Sequence, residues 1–116
     1  MAAPIGDRFG PRGNRFHTGL DFPAPHGRNV RAARAGRVIG AGYDPGGYGN
    51  VVHIAHGSGI TTFYAHLNRV TVRRGEGVVA GERVGTVGST GFSSGPHLHF
   101  EVRLRGAMLD PLTGLR

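Results

Sequence analysis

Between His97 and Leu104 the sequence alternates without a break: Leu98, Phe100, Val102 and Leu104 hold one parity, and His97, His99, Glu101 and Arg103 the other. Apolar residues two apart line one face of an extended chain but scatter round a helix, so this stretch reads as a β-strand with one face in a core. Both imidazoles then share the face turned away from that core. Such a face is either a solvated polar surface or the start of a metal site, because two neutral imidazoles aimed at one place are a beginning for zinc.

The same period returns at residues 16–22, where Phe16, Thr18, Leu20 and Phe22 oppose His17, Gly19 and Asp21. Further strands are predicted at Val30 to Ala33, Arg37 to Gly40, Val51 to His56, Ile60 to Leu67, Val70 to Val72, Val78 to Val79 and Arg83 to Val87. Gly57-Ser58-Gly59 links two of them as a hairpin, and residues 43–50 form the strongest turn cluster. Within the hairpin, Phe63 and Leu67 are expected to face the core and Tyr64 and His66 the opposite side. No segment carries a useful 3.6-residue apolar period. With 22 glycines and 7 prolines in 116 residues, the expectation is one all-β domain, a small antiparallel sheet core with long loops, irregular over residues 1–15 and ordered over 16–112.

Composition then removes whole classes of chemistry. There is no cysteine, which excludes disulfides, thiolate zinc sites and a cysteine nucleophile. All 14 basic residues are arginine and the formal net charge is +7, which suits an anionic partner such as a cell-wall polymer. The arginines are scattered rather than interleaved with aromatics, so no specific nucleic-acid partner is expected. No 18-residue apolar run and no charged-then-apolar leader occurs, so neither a membrane span nor a signal peptide is expected in this sequence.

Three stretches, at residues 17–21, 64–66 and 97–99, thus place polar side chains opposite the core and can converge on one groove if their strands are neighbours. A catalytic zinc takes three protein ligands and keeps one position open. His17, Asp21 and one histidine of the 97/99 pair meet that count. Residues four apart on a straight strand are separated by about 13 Å, too far to share one ion, so a bend is needed, and Gly19 is where it is cheapest. Of the 97/99 pair, about 6.7 Å apart along the strand, one can hold the metal while the other reaches water or substrate. With His66, two imidazoles are left over for hydrolytic chemistry.

His17-Thr18-Gly19-Leu20-Asp21 followed by His97-Leu98-His99 resembles the His-x-x-x-Asp and His-x-His pattern of the lysostaphin-type, LytM-like M23 zinc metallopeptidases. The resemblance extends in order through Phe16, residues 36–38, Tyr48-Gly49-Asn50, Tyr64-Ala65-His66-Leu67, residues 88–91, Pro96, Phe100-Glu101 and Asp110-Pro111. It implies zinc held by His17, Asp21 and His99. It implies that His66 and His97 act as general base and oxyanion stabiliser, in an order left open, on peptide bonds of peptidoglycan stems or cross-bridges. The implied fold is a small antiparallel sheet with a substrate groove between loops. A monomer is expected, in a secreted or cell-envelope parent protein. Many relatives carry a tyrosine or similar group before the first ligand, where this chain has Phe9 to Arg15; Arg12 or Arg15 lines the groove or is simply solvated. His26 is expected in an exposed turn, His56 in a structural role, and His53 in none. Glu101 supports a ligand histidine or is an exposed carboxylate paired with an arginine.

Other classes fare worse. A degenerate LytM-like module that binds wall or activates an amidase usually lacks metal ligands, whereas all five positions are filled here. A biotinyl or lipoyl carrier needs a lysine, and there is none. A cupin-like barrel needs a further histidine after residue 102.

Overall fold

The computed structural model describes residues 10–12, 15–17, 20–91, 93, 95–105 and 107–109, with side chains described for 21–91, 93 and 95–105. Eleven strands and no helix occupy these residues: β1 (Gly10–Arg12), β2 (Arg15–His17), β3 (Leu20–Pro23), β4 (Asn29–Arg31), β5 (Gly36–Asp44), β6 (Gly49–Gly57), β7 (Ile60–Val70), β8 (Gly77–Val78), β9 (Arg83–Val87), β10 (His97–Leu104) and β11 (Ala107–Leu109). Accordingly, no helix of the described residues is long and apolar enough to cross a membrane. All pairings are antiparallel. The main sheet runs β11-β10-β7-β6-β5-β8, with β3 added to β10 and the β4–β9 pair attached through β7.

The expected alternation of β10 holds. Leu98, Phe100 and Val102 are buried in the core with Val38, Val52, Ile54, Tyr64, Leu67 and the β4–β9 valines Val30, Val84 and Val87. Each such side chain contributes roughly 1.5–3 kcal/mol by leaving water. The opposite face is not solvated, however: His99 is 7% exposed and Glu101 fully buried. The β10 strand therefore has two covered faces, one apolar and one polar.

Several boundaries differ from expectation for identifiable reasons. Gly10–Arg12, within the stretch expected to be irregular, pairs with β2. The 16–22 run is two strands in two sheets, since β2 pairs with β1 and β3 with β10; residues 18 and 19 between them lie outside the described residues. β5 continues to Asp44 because its ladder with β6 extends to Asp44↔Gly49, which shrinks the turn to residues 45–48. The β6–β7 hairpin closes with two residues, Ser58 and Gly59, both at positive φ (54° and 77°), the backbone a type I′ turn demands.

β7 overturns its own parity. It pairs with β10 from Ile60 to Ala65, then with β9 from Leu67 onward, and its register with β6 slips between Val52↔Tyr64 and Asn50↔Leu67. At this switch His66 takes φ 62° and gives its N–H to the Tyr48 carbonyl at 2.8 Å. Tyr64 accordingly lies in the core, its hydroxyl 2.9 Å from Ala33 N, while Phe63 packs on the polar face against Tyr48 and His53. Tyr64 and His66 were expected on one side and Phe63 and Leu67 on the other; the bulge separates each pair.

Candidate active site

Antiparallel register sets Asp21 of β3 directly opposite His99 of β10, close enough for side chains to meet. Asp21 Oδ1 is 2.8 Å from His99 Nδ1 and 3.6 Å from His97 Nε2. The left-handed backbone at His66 turns its ring to the same place, with centroids 4.9 Å from His97 and 5.9 Å from His99. Four of the five expected site residues thus converge. The fifth, His17, ends β2, and its side chain lies outside the described residues, as do those of Arg12 and Arg15, which are register partners across β1 and β2.

Each of the three histidines has one ring nitrogen in a hydrogen bond to a group other than Asp21. His66 Nδ1 donates to the Thr90 carbonyl at 2.7 Å. Thr90 is itself fixed: its Oγ1 donates to Leu67 O at 2.7 Å and accepts from Asn50 N at 3.0 Å. His97 Nδ1 lies 2.9 Å from the Gly95 carbonyl and 3.1 Å from Ser93 Oγ, leaving Nε2 toward Asp21. His99 is reversed, with Nε2 at 2.9 Å from Glu101 Oε2 and Nδ1 toward Asp21. Tyr48 stacks on the His99 ring at 5.9 Å and donates a short hydrogen bond to Glu101. Arg103 donates to Glu101 Oε1 from Nη2 at 2.8 Å and from Nε at 3.2 Å.

Electrostatics follows from these contacts. Burial opposes a charge on Glu101, but hydrogen bonds from His99, Tyr48 and Arg103 outweigh it and bring the carboxyl down to about 2. Burial likewise opposes a charge on His99, yet its bonds to Asp21 and Glu101 push it up to about 9. Burial, with Glu101 alongside, pushes the Tyr48 hydroxyl up to about 12, so it stays a donor. Burial and the neighbouring His97 and His99 lower His66 despite its Thr90 bond, which keeps it neutral.

Glu101 is therefore no exposed carboxylate; it braces a histidine and binds an arginine at once. Sequence reasoning gave no role to Arg103, Tyr48, Thr90 or Ser93. Arg103 could have been found, since it shares the parity of His97, His99 and Glu101, whereas Tyr48, Thr90 and Ser93 lie in turns whose contacts have no period. His56 bridges Ala35 O at 2.9 Å and Thr62 Oγ1 at 2.7 Å, as its structural role requires, and His26 is exposed. A cavity of about 280 Å³ lined by Phe22, Tyr64, Leu98, Phe100 and Arg31 lies on the other face of β10, away from this chemistry.

The donors available are carboxylate and imidazole, the hard and borderline set zinc accepts without cysteine. The Asp21 carboxylate and the Nδ1 edge of His99 already meet at 2.8 Å, and His99 Nε2 is braced by the Glu101 carboxylate as metal-bound imidazoles usually are. Among the described residues alone, no three such side chains form a complete metal cluster; His17 is the expected third.

Peptidase family M23 matches residues 15–111. The DD-carboxypeptidase/endopeptidase Mpg of Neisseria meningitidis is 44% identical over 97% of this chain and 26% of that protein. The murein hydrolase activator NlpD of Escherichia coli is 40% identical over 81% of this chain and 24% of that protein. The catalytic domain of lysostaphin from Staphylococcus simulans superposes with a TM-score of 0.89 at 33% identity, covering 97% of this chain and 92% of that one. A zinc-containing peptidase from Vibrio cholerae superposes with a TM-score of 0.86 at 36% identity, covering 93% and 35%. The chain spans about a quarter of the length of the curated relatives it matches. On the family match, these likenesses and the shared antiparallel fold, the chain belongs to peptidase family M23.

Proposed function

We propose that this domain is a zinc-dependent endopeptidase that hydrolyses peptide bonds in the stems or cross-bridges of bacterial peptidoglycan, within a secreted or cell-envelope parent. The observation that carries this reading is the meeting of Asp21, His66, His97 and His99, each imidazole with one nitrogen held by a group other than Asp21. His17, Asp21 and His99, the last through Nδ1, would hold the metal. When bound, zinc acidifies a water and polarises the scissile carbonyl. His66 Nε2, the free nitrogen of a ring kept neutral by burial, takes the proton from the attacking water and passes it to the leaving amine as the C–N bond breaks. His97, through the Nε2 edge that faces Asp21, stabilises the developing oxyanion. Thr90 and Gly95, which accept from the Nδ1 atoms, keep both rings from turning.

A second reading comes from the likeness to NlpD, whose name describes a murein hydrolase activator. On that reading the domain cuts nothing and stimulates a partner hydrolase. The filled site positions favour the enzyme. Incubating the purified protein with muropeptides of defined cross-link chemistry, with and without chelator, and weighing the products decides between them. Products of peptide-bond cleavage that vanish with chelator and return with zinc are expected. Intact muropeptides throughout, with stimulation of an added amidase, would sink the enzyme reading.

A further inference from the structure

Glu101 is fully buried and held by the proposed ligand His99 and by two groups, Tyr48 and Arg103, to which the proposed hydrolysis gives no role. His99 Nε2 lies 2.9 Å from its Oε2, the Tyr48 hydroxyl donates to that same oxygen, and Arg103 donates to Oε1 at 2.8 Å and 3.2 Å. Arg103 Nη2 also reaches the Tyr48 hydroxyl at 3.3 Å, which closes a ring of contacts. The guanidinium is seated 4.1 Å above the centre of the Phe63 ring. Tyr48 comes from the turn between β5 and β6, and Arg103 from β10 two residues beyond Glu101, so the network ties the strand to a distant turn.

An imidazole can offer only one nitrogen toward Asp21, and which one depends on what the other nitrogen binds. An ionised carboxylate only accepts hydrogen bonds, so the nitrogen beside Glu101 must carry a hydrogen. Arginine can only donate, and the Tyr48 hydroxyl is committed to Glu101, so both hold the carboxylate in its accepting form and fix its direction. We propose that Tyr48 and Arg103 are positioning residues which, acting through Glu101, lock His99 with Nε2–H inward and Nδ1 toward Asp21. The zinc affinity of the site is then set partly by two residues that never touch the metal. The inference deepens the zinc reading and rests on it.

Zinc affinity measured by competition with a chromophoric chelator, together with the histidine Nε2–H resonance in ¹⁵N-labelled, zinc-loaded protein, tests it. Glu101→Gln is expected to weaken zinc binding roughly 10- to 100-fold, and Tyr48→Phe and Arg103→Met roughly 10-fold, each shifting the His99 Nε2–H signal. Arg103→Lys, which keeps the charge but loses the fork, falls between wild type and Arg103→Met. Thr62→Val is the control for stability alone, because Thr62 is buried on the core side and its hydroxyl, among the described residues, bonds His56 and Tyr64; it should lower the unfolding temperature and leave zinc affinity unchanged. Wild-type zinc affinity and an unshifted resonance in Tyr48→Phe and Arg103→Met would overturn the inference alone, as would equal weakening in Thr62→Val. A wild-type protein that takes up no stoichiometric zinc would overturn the zinc reading and this inference with it.

Discussion

His66 and His97 differ from His99 in what holds them: backbone carbonyls for the first two, a carboxylate for the third. A carbonyl fixes orientation without adding charge, which suits the proton transfer proposed for His66 and the oxyanion stabilisation proposed for His97. Replacing His66 or His97 by alanine should therefore reduce the hydrolytic rate about 10²- to 10⁴-fold while zinc content stays near wild type. Loss of zinc in either variant would place that histidine among the ligands instead. His53 has the opposite character. Its ring stacks on Phe63 at 3.6 Å, its Nε2 has no hydrogen-bond partner among the described residues, and burial together with Arg103 lowers it from 6.5 to about 4. The unfolded chain thus binds this proton more readily than the folded one, so stability present above pH 6.5 is lost as pH falls from 6.5 toward 4. After discounting for solvent at a half-buried ring, the loss is about 1–2 kcal/mol. Urea unfolding of wild type and His53→Leu from pH 7 to pH 4 should show a flatter profile for the variant by that amount; superimposable slopes would remove His53 as the cause.

At the scale of elements, the site depends on two loops locked together. Gly91 has φ 75°, and a Cβ there would lie 2.3 Å from Gly47 O and 2.5 Å from Gly49 N. Gly57 has φ 89° with open space around it. Gly91→Ala should therefore cost roughly 2–4 kcal/mol, from backbone strain plus a clash with main chain that cannot move aside, and Gly57→Ala only about 1 kcal/mol. Equal shifts in thermal unfolding would mean that the residue 88–91 loop and the residue 45–49 turn are not in close contact. The glycines themselves were visible in the sequence, but their pairing was not. β3 and β10 were legible because an unbroken period of two needs only local sterics and one buried face. Asp21 and His99 could be assigned to one groove on that basis. At Tyr64 and His66 the same rule failed, because β7 exchanges β10 for β9 there and one left-handed residue resets the parity. That exchange is a property of the assembled sheet, and no residue of β7 encodes it alone. Tyr48 was hidden for a similar reason: a turn residue has no period, and its role depends on reaching Glu101 across 53 positions of sequence.

At the scale of the whole molecule, several exposed arginines stand on the β4, β7 and β9 strands. Arg31 and Arg83 are both exposed and stand directly opposite each other across the β4–β9 ladder, an arrangement that costs stability between like charges. Exposed Arg69 lies on β7, the next strand over, and pairs with Thr86 of β9. Among the described residues none of the three forms an ion pair; Arg31 spends one donor on the Gly81 carbonyl at 3.0 Å. Guanidinium groups left without carboxylates, on a chain of net charge +7, attract polyanions at long range and without specificity. If the proposed substrate is an anionic wall, this field concentrates the domain on it, while cleavage itself depends on the groove. The two effects separate with salt, because at several hundred millimolar the Debye length falls to about 5 Å and the attraction fades. Hydrolysis of intact wall should then decline as salt rises, and hydrolysis of a short uncharged cross-bridge peptide should not. The triple variant Arg31→Gln, Arg69→Gln, Arg83→Gln should bind intact wall more weakly, with a flatter salt dependence, and cleave the short peptide at the wild-type rate. An unchanged salt profile on wall in that variant would move the electrostatic contact elsewhere on the surface, and salt-independent wall hydrolysis by the wild type would exclude it.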